Sequence, residues 1–322
     1  MADYRSSAWM ALAALLVCWG ADASWSAGDA GGPPRPGGRC LPCHGASPTL
    51  EAVGESGATA SLHVDPLAYQ ASVHGALDCE ACHWRMSDMG EPRGANGESV
   101  DPVWLSRLTT SVPDRARRVL ERCAPCHRPE ADDYARSIHF DAVSGSGTEA
   151  PVCSDCHGAH AILRHDDIES STSQAKVPAT CARCHANARI MARYDVRTDT
   201  VKTFEESFHG KKHELGSKRA AVCSSCHGGH DIRPATDPGS RLSPANRIAT
   251  CAACHPGCTE QFALSFGHKP MTAKEQPLVY WIGVFYRLMI ALTIGGMIGY
   301  ISLDLLRKAL STRGGGGSPP PE

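Results

Sequence analysis

The sequence predicts a chain of short α-helices and loops with little or no sheet, built around something other than a protein core and followed by one C-terminal transmembrane helix. Three observations predict it. The 322 residues hold 16 Cys and 16 His but only 6% aromatic side chains, too much sulfur and imidazole for an ordinary interior. The cysteines recur in one pentapeptide, CxxCH, along the middle of the chain. A single apolar stretch at 278–303 is long enough to cross a bilayer.

At the N-terminus, residues 1–23 combine one basic residue, Arg5, an apolar run from Ala8 to Trp19 and the small-x-small ending Ala21-Asp22-Ala23. This is the pattern of a secretory signal peptide. The run is short for a membrane anchor, which needs about twenty residues. Cleavage after Ala23 removes Cys18 as well.

The segment 24–276 carries the cysteine pattern: CLPCH at 40–44, CEACH at 79–83, CAPCH at 123–127, CSDCH at 153–157, CARCH at 181–185, CSSCH at 223–227 and CAACH at 251–255. Zinc ribbons use CxxC pairs but have no need of a His after each, and seven is an odd number of half-sites. Structural disulfides carry no such invariant pentapeptide. Thioredoxin-like sites come once per domain rather than seven times.

CxxCH is the attachment sequence of c-type haem, in which two thiols bond the porphyrin and the next residue supplies an axial ligand to iron. One turn of helix places both sulfurs at one porphyrin edge while the adjoining imidazole reaches the metal. The sequence therefore predicts seven covalently bound haem c groups. Their thiols are Cys40 and Cys43, Cys79 and Cys82, Cys123 and Cys126, Cys153 and Cys156, Cys181 and Cys184, Cys223 and Cys226, and Cys251 and Cys254. Their proximal ligands are His44, His83, His127, His157, His185, His227 and His255. The motifs leave roughly thirty-three residues per haem, too few for a normal core, so the haems themselves take its place.

An internal repeat assigns most of the other histidines. A shift of 70 residues superposes His139, Cys153, His157, His160, Cys181 and His185 on His209, Cys223, His227, His230, Cys251 and His255, with 20 of 47 positions identical over 139–185. The two units span 134–203 and 204–268, after a shortened first unit. Each holds a [Tyr/Phe]-x-x-Ser-x-His element, then CxxCHGxH, then a second CxxCH. The first element recurs at Tyr69-Ser72-His74, Tyr134-Ser137-His139 and Phe204-Ser207-His209, and in degenerate form at Phe262-Ser265-His268. His74, His139, His160, His209, His230 and His268 are accordingly candidate second axial ligands, of haems often attached elsewhere in the chain. Imidazole on both sides of iron favours electron transfer over substrate chemistry.

Six such ligands are one short of seven haems. In the first unit Met86 stands where His160 and His230 stand later, so His83 and Met86 mark an unusual haem if Met86 coordinates iron, and Met86 is filler if it does not. His63, His165 and His213 have no counterpart in the other units; one of them completes the set, or one haem stays five-coordinate. Cys258 is the one cysteine outside both the motifs and the signal peptide, and reads as a free thiol.

Net charge is −2, with 32 basic and 34 acidic residues and no basic patch interleaved with aromatics, so no nucleic-acid partner is expected. No phosphate-binding or hydrolytic motif appears.

The expected transmembrane helix covers 277–306 and is followed by a short Gly/Pro-rich tail, 307–322. Arg307, Lys308 and Arg313 put the tail in the cytoplasm and the haem domain on the periplasmic side of a bacterial inner membrane. Tyr280, Trp281 and Tyr286 suit the outer interface, and Gly295 and Gly299 form a GxxxG face. Arg287 lies inside the span and needs either to snorkel or to meet an anionic partner, such as a haem propionate or another helix.

The CSDCHGAH and CSSCHGGH blocks, with their upstream Ser-x-His and downstream CxxCH, resemble the exported multihaem c-type cytochromes of bacterial respiration over residues 40–268. The stretch with Tyr286, Leu288, Gly295, Gly296 and 303–307 resembles the anchors of such cytochromes beside quinone-linked membrane subunits, and also one helix of a b-type cytochrome, although it contains no His. The CHxxM element is shared with membrane-anchored quinol dehydrogenases that serve nitrite reductases, from which this chain departs in its C-terminal anchor and its seven motifs. The resemblance implies a membrane quinone-linked or b-type cytochrome partner and other periplasmic redox proteins. The expected role is electron transfer rather than catalysis; the alternative is a reductase or oxidase of a small nitrogen or sulfur compound at a five-coordinate haem.

Overall fold

The computed structural model describes residues 38–53, 59–84, 93, 97–145 and 149–314. The expected signal peptide, Met86 and residues 315–322 lie outside them.

The described chain is mostly helical, and most of its helices are short. In order they are α1 (Leu41–His44), α2 (Pro66–Ala71), α3 (Pro102–Thr109), α4 (Asp114–Cys123), α5 (Arg128–Tyr134), α6 (Ile138–Ser144), α7 (Cys153–His157), α8 (Val177–His185), α9 (Ala188–Ala192), α10 (Thr200–Glu206), α11 (Phe208–Glu214), α12 (Cys223–His227), α13 (Arg247–Ala252), α14 (Glu260–Ser265) and α15 (Pro277–Gly314). A 3-10 turn covers Cys79–Ala81. The sheet among the described residues is one antiparallel pair, β1 (Glu51–Val53) and β2 (Thr59–Ser61), with Ala52 opposite Ala60.

Local chemistry sets these lengths. Pro66 and Pro102 open α2 and α3 at a position where the missing N–H costs nothing. Asp65, Asp101, Asn187 and Thr259 accept hydrogen bonds from the first N–H groups of the helices that follow them. Ser137 and Ser207 do the same for α6 and α11 while donating to the carbonyls of Tyr134 and Phe204, both at 2.6 Å.

One apolar cluster forms a protein core in the usual sense. Leu108, Val112, Ala116, Leu120, Tyr134, Val143 and Val152 pack together, with Trp104, Phe140 and Tyr194 at its edge. Elsewhere buried side chains are sparse, and several are serines that tie loops to backbone carbonyls. Ser170 bonds to Leu163 and Ser173 to Ile168; seventy residues on, Ser240 bonds to Arg233 and Ser243 to Pro238.

The repeat is therefore physical as well as sequential. α6, α7 and the start of α8 recur at the same offset as α11, α12 and the start of α13. Adjacent units are joined by one recurring backbone bond. The N–H of Val73, between Ser72 and His74, donates to the Ile162 carbonyl at 2.8 Å, and the N–H of Ile138, between Ser137 and His139, donates to Ile232 at 2.8 Å.

α15 has 38 residues, about 57 Å of helix. Its stretch Pro277–Ser311 is long and apolar enough to cross a membrane, and none of its most apolar window is covered by the rest of the chain. The helix runs past residue 306, the expected end of the span, to Gly314, because nothing before that glycine breaks it and Asp304 pairs with Lys308 at 2.8 Å one turn on. Arg287 finds its partner in its own helix. Its Nε–H donates to the Gly283 carbonyl at 3.1 Å, turning the guanidinium toward the N-terminal end as helix side chains lean.

Candidate cofactor-binding site

Every CxxCH motif is one helical turn. In the motifs at 40–44, 79–83, 123–127 and 251–255 the His N–H donates to the carbonyl of the first Cys, at 2.8–3.0 Å. CSDCH and CSSCH are the whole of α7 and α12, and CARCH closes α8. The two thiols of each motif, three residues apart, thus share a face, with the imidazole one turn from the first. The turns at α7 and α12 are held from behind: Asp155 accepts from the Val152 N–H at 2.8 Å and Ser225 from the Val222 N–H at 3.1 Å. After each, a glycine at positive φ, Gly158 at 80° and Gly228 at 83°, redirects the chain toward His160 and His230.

The motif histidines face the other candidates in pairs. His83 faces His160 with ring centroids 6.1 Å apart, His157 faces His230 at 6.0 Å and His227 faces His268 at 6.1 Å. His127 faces His74 at 5.9 Å, His185 faces His139 at 6.3 Å and His255 faces His209 at 6.0 Å. The first three pairs are nearly parallel, at 18–25°; the second three are tilted by 45–68°. Each pair joins one motif His to one candidate second ligand.

The two classes follow two connection rules. A CxxCH that opens a unit faces a His from the following unit: His83 with His160, His157 with His230. A CxxCH that closes a unit faces the Ser-x-His of its own unit: His127 with His74, His185 with His139, His255 with His209. His268 departs from its sequence analogy. Its Ser265 bonds to the Phe262 carbonyl like the serines of the Ser-x-His elements, yet His268 faces His227 and so takes the place of the next unit's CHGxH histidine. Thr203, which no sequence pattern marks, contacts its Nδ1 at 3.1 Å through Oγ1.

Centroids near 6 Å are too far apart for face-to-face contact but match two imidazoles on one metal, since bonds of about 2.0–2.1 Å on either side put the centroids about 6.3 Å apart. Burial holds His139 down to about 4, with His185 beside it adding to the effect. Burial also lowers His74, His83, His157, His160, His185, His209, His227 and His268. Neutral rings keep a lone pair for donation. Among the described residues no three His, Cys, Asp or Glu side chains converge on one point.

The described cysteines are free thiols, and those of successive motifs are neighbours. Cys40 lies beside Cys79, Cys123 beside Cys153 and Cys181 beside Cys223. Cys82 lies beside Cys123 and Cys126, Cys156 beside Cys184, and Cys226 beside Cys251 and Cys254. The seven motifs form one row in sequence order. Cys258 lies beside Cys251 at the end of that row, its thiol donating to the Thr259 carbonyl at 3.5 Å.

His44 is the exception among the motif histidines. Its Nδ1 lies 2.8 Å from the Leu62 carbonyl, and no ring faces it among the described residues. It lies near the His83–His160 pair. His63 follows Leu62 on the Nδ1 side of His44, with its own Nδ1 buried and without a hydrogen bond. His213 is a strut, its Nε2 3.2 Å from the Gln174 carbonyl, and His165 is exposed. Met86 lies outside the described residues.

Comparison with protein-family models, with curated proteins and with solved structures finds no match.

Proposed function

We propose that the chain is an exported, membrane-anchored c-type cytochrome with seven covalently attached haems, passing electrons between a membrane partner and a periplasmic or extracellular acceptor. The observation that carries this reading is the set of six His pairs at 5.9–6.3 Å, each containing the His of a CxxCH turn. In each turn the cysteines would hold the porphyrin edge and the imidazoles would take the two axial positions. When bound, haem supplies a one-electron couple whose potential follows its ligands and burial.

Two imidazoles leave no open position at six sites, which favours transfer over turnover. The sequence-ordered row of motifs supports short steps from one site to the next, with the last motif nearest in sequence to α15. Positive-inside reasoning assigns Arg307, Lys308 and Arg313 to the cytoplasm and the paired histidines to the periplasm. A quinone-linked or b-type cytochrome subunit is the partner such an anchor serves.

The test is haem stoichiometry and spin state of the purified full chain. Seven haems per chain, with low-temperature electron paramagnetic resonance dominated by low-spin signals, is the expected result. Several high-spin haems, or a chain that matures without covalent haem, would overturn it.

One observation favours a second reading. His44 has no facing imidazole among the described residues, so a small nitrogen or sulfur compound would have its access there. Turnover of nitrite, hydroxylamine or tetrathionate by the purified protein, lost when carbon monoxide occupies a single haem, would establish a reductase; its absence leaves electron transfer.

A further inference from the structure

The third repeat carries an outer face whose chemistry the second repeat does not share. On α11, Phe208 is 79% exposed and Leu215, just past the helix end, is 87% exposed. With Lys211 and Lys212 they occupy one side of the helix, at spacings of three, four and seven residues. Lys218 and Arg219 follow, both exposed. The opposite side is spent inward, where Gly210 is buried and His213 meets the Gln174 carbonyl.

Seventy residues earlier the same positions read differently. Ile138, Asp141, Ala142, Gly145 and Glu149 stand where Phe208, Lys211, Lys212, Leu215 and Arg219 stand in the third repeat. The two copies agree closely at their cofactor turns but differ at six of the seven positions of this helix, and on its outer face the change is from acidic or neutral to basic. Glu214 pairs with Lys211 at 2.9 Å. Lys212, Lys218 and Arg219 carry no ion pair among the described residues.

Val73 and Ile138 each give their N–H to the repeat that follows, whereas no further repeat follows Phe208. What does follow is α15, which begins at Pro277, nine residues after His268. A bilayer is therefore the surface that the same unit enters next.

We propose that the outer face of α11, with Phe208, Lys211, Lys212, Leu215, Lys218 and Arg219, docks the third repeat onto anionic phospholipid headgroups of the membrane entered by α15. The apolar pair enters the headgroup boundary and the basic side chains meet the phosphates. This rests on α15 being a membrane span and goes beyond the assignment of electron transfer.

The test uses the full chain, reconstituted in vesicles of phosphatidylcholine alone or mixed with phosphatidylglycerol. Acylation of individual lysines is read by mass spectrometry. Lys211, Lys212 and Lys218 should be protected about threefold or more in the anionic vesicles, with Lys176 of the second repeat unchanged and the protection lost at high salt. K212E/K218E, which should keep its haem spectrum, should label Lys211 equally in both vesicles.

Equal labelling of the parent in the two compositions would overturn the proposal. So would protection already present in neutral vesicles, which would mean that porphyrin or protein covers the face. Protection that arises only on adding an acidic redox protein would assign the face to that partner instead. A chain that floats with neither vesicle would fail the membrane reading itself and the docking with it.

Discussion

His157 and His230 face each other at 6.0 Å with their planes 18° apart, although 73 positions separate them in the chain. That separation explains why the sequence marked the candidate histidines but not which faces which. A CxxCH turn is local and announces itself; the facing imidazole arrives from 41 to 77 residues away, and only the folded backbone decides whose it is. His268 shows the limit most clearly, since its neighbourhood copies one class of histidine while its position serves the other. His230→Ala should therefore leave seven haems attached and convert one low-spin haem to a high-spin, carbon monoxide-binding form. Because its partner is His157, the lost signal should belong to a nearly parallel pair. His209→Ala, by contrast, should remove a tilted one. Electron paramagnetic resonance distinguishes the two by the shape of the missing low-spin component. Gly158 and Gly228 permit a second test at this scale, because an L side chain at their φ of 80° and 83° is strained. Alanine at either should cost about 1–3 kcal/mol in denaturant unfolding. The cost should be larger at Gly228, where the new Cβ would lie 2.5 Å from the Asp231 carboxylate, than at Gly158, where it meets nothing.

Among the elements, shortness is the rule and its causes were legible. Prolines, Ser and Asp caps and positive-φ glycines cut the chain into single turns, each carrying little more than its ligands. The protein core between α3, α4, α5 and α6 was less legible. It rests on Leu108, Leu120, Val143 and Val152, which lie in four separate segments; Leu108, Val112, Ala116, Leu120 and Ala124 do recur every four residues, but nothing in the sequence joins that stripe to Val143 and Val152. The buried serines were half legible: their recurrence in the Ser-x-His element was plain, their purpose was not. Ser137 closes α6 by accepting from Phe140 while it holds the Tyr134 carbonyl, and it is fully buried. Ser137→Ala should destabilise the folded protein by about 1 kcal/mol, measured by thermal unfolding, and should disturb the His139–His185 site before the others. α15 continues past residue 306 because Asp304 and Lys308 pair along the helix and do not end it. Between Arg287 and Asp304 it carries no charged residue. From Arg287 to Asp304 the helix rises about 25 Å, and the turned-back Arg287 extends the apolar length toward the about 30 Å of hydrocarbon.

The whole molecule is a ladder in which each unit is finished by the next. Most of its histidine pairs are completed across long stretches of chain, and buried side chains are scarce outside the one cluster, as the proposed haems would require. Stopping the chain at Gln276 should release it from membranes with its haem spectrum intact, checked by fractionation and absorbance; loss of haem on truncation would mean that α15 takes part in the fold. The two connection rules also make a statement about inheritance. A unit that supplies one ligand backward and one to itself can be copied or lost whole without stranding a partner, provided His268 remains to close the series. Removing residues 139–208, so that Ile138 runs directly into His209, should give a viable five-haem protein. In it His230 would face His83 while His209 and His268 keep their present partners. Mass spectrometry of that variant would count the haems. The same arithmetic in the other direction describes how a longer chain grows: by tandem duplication in steps of seventy residues and two haems, with the closing histidine carried along unchanged.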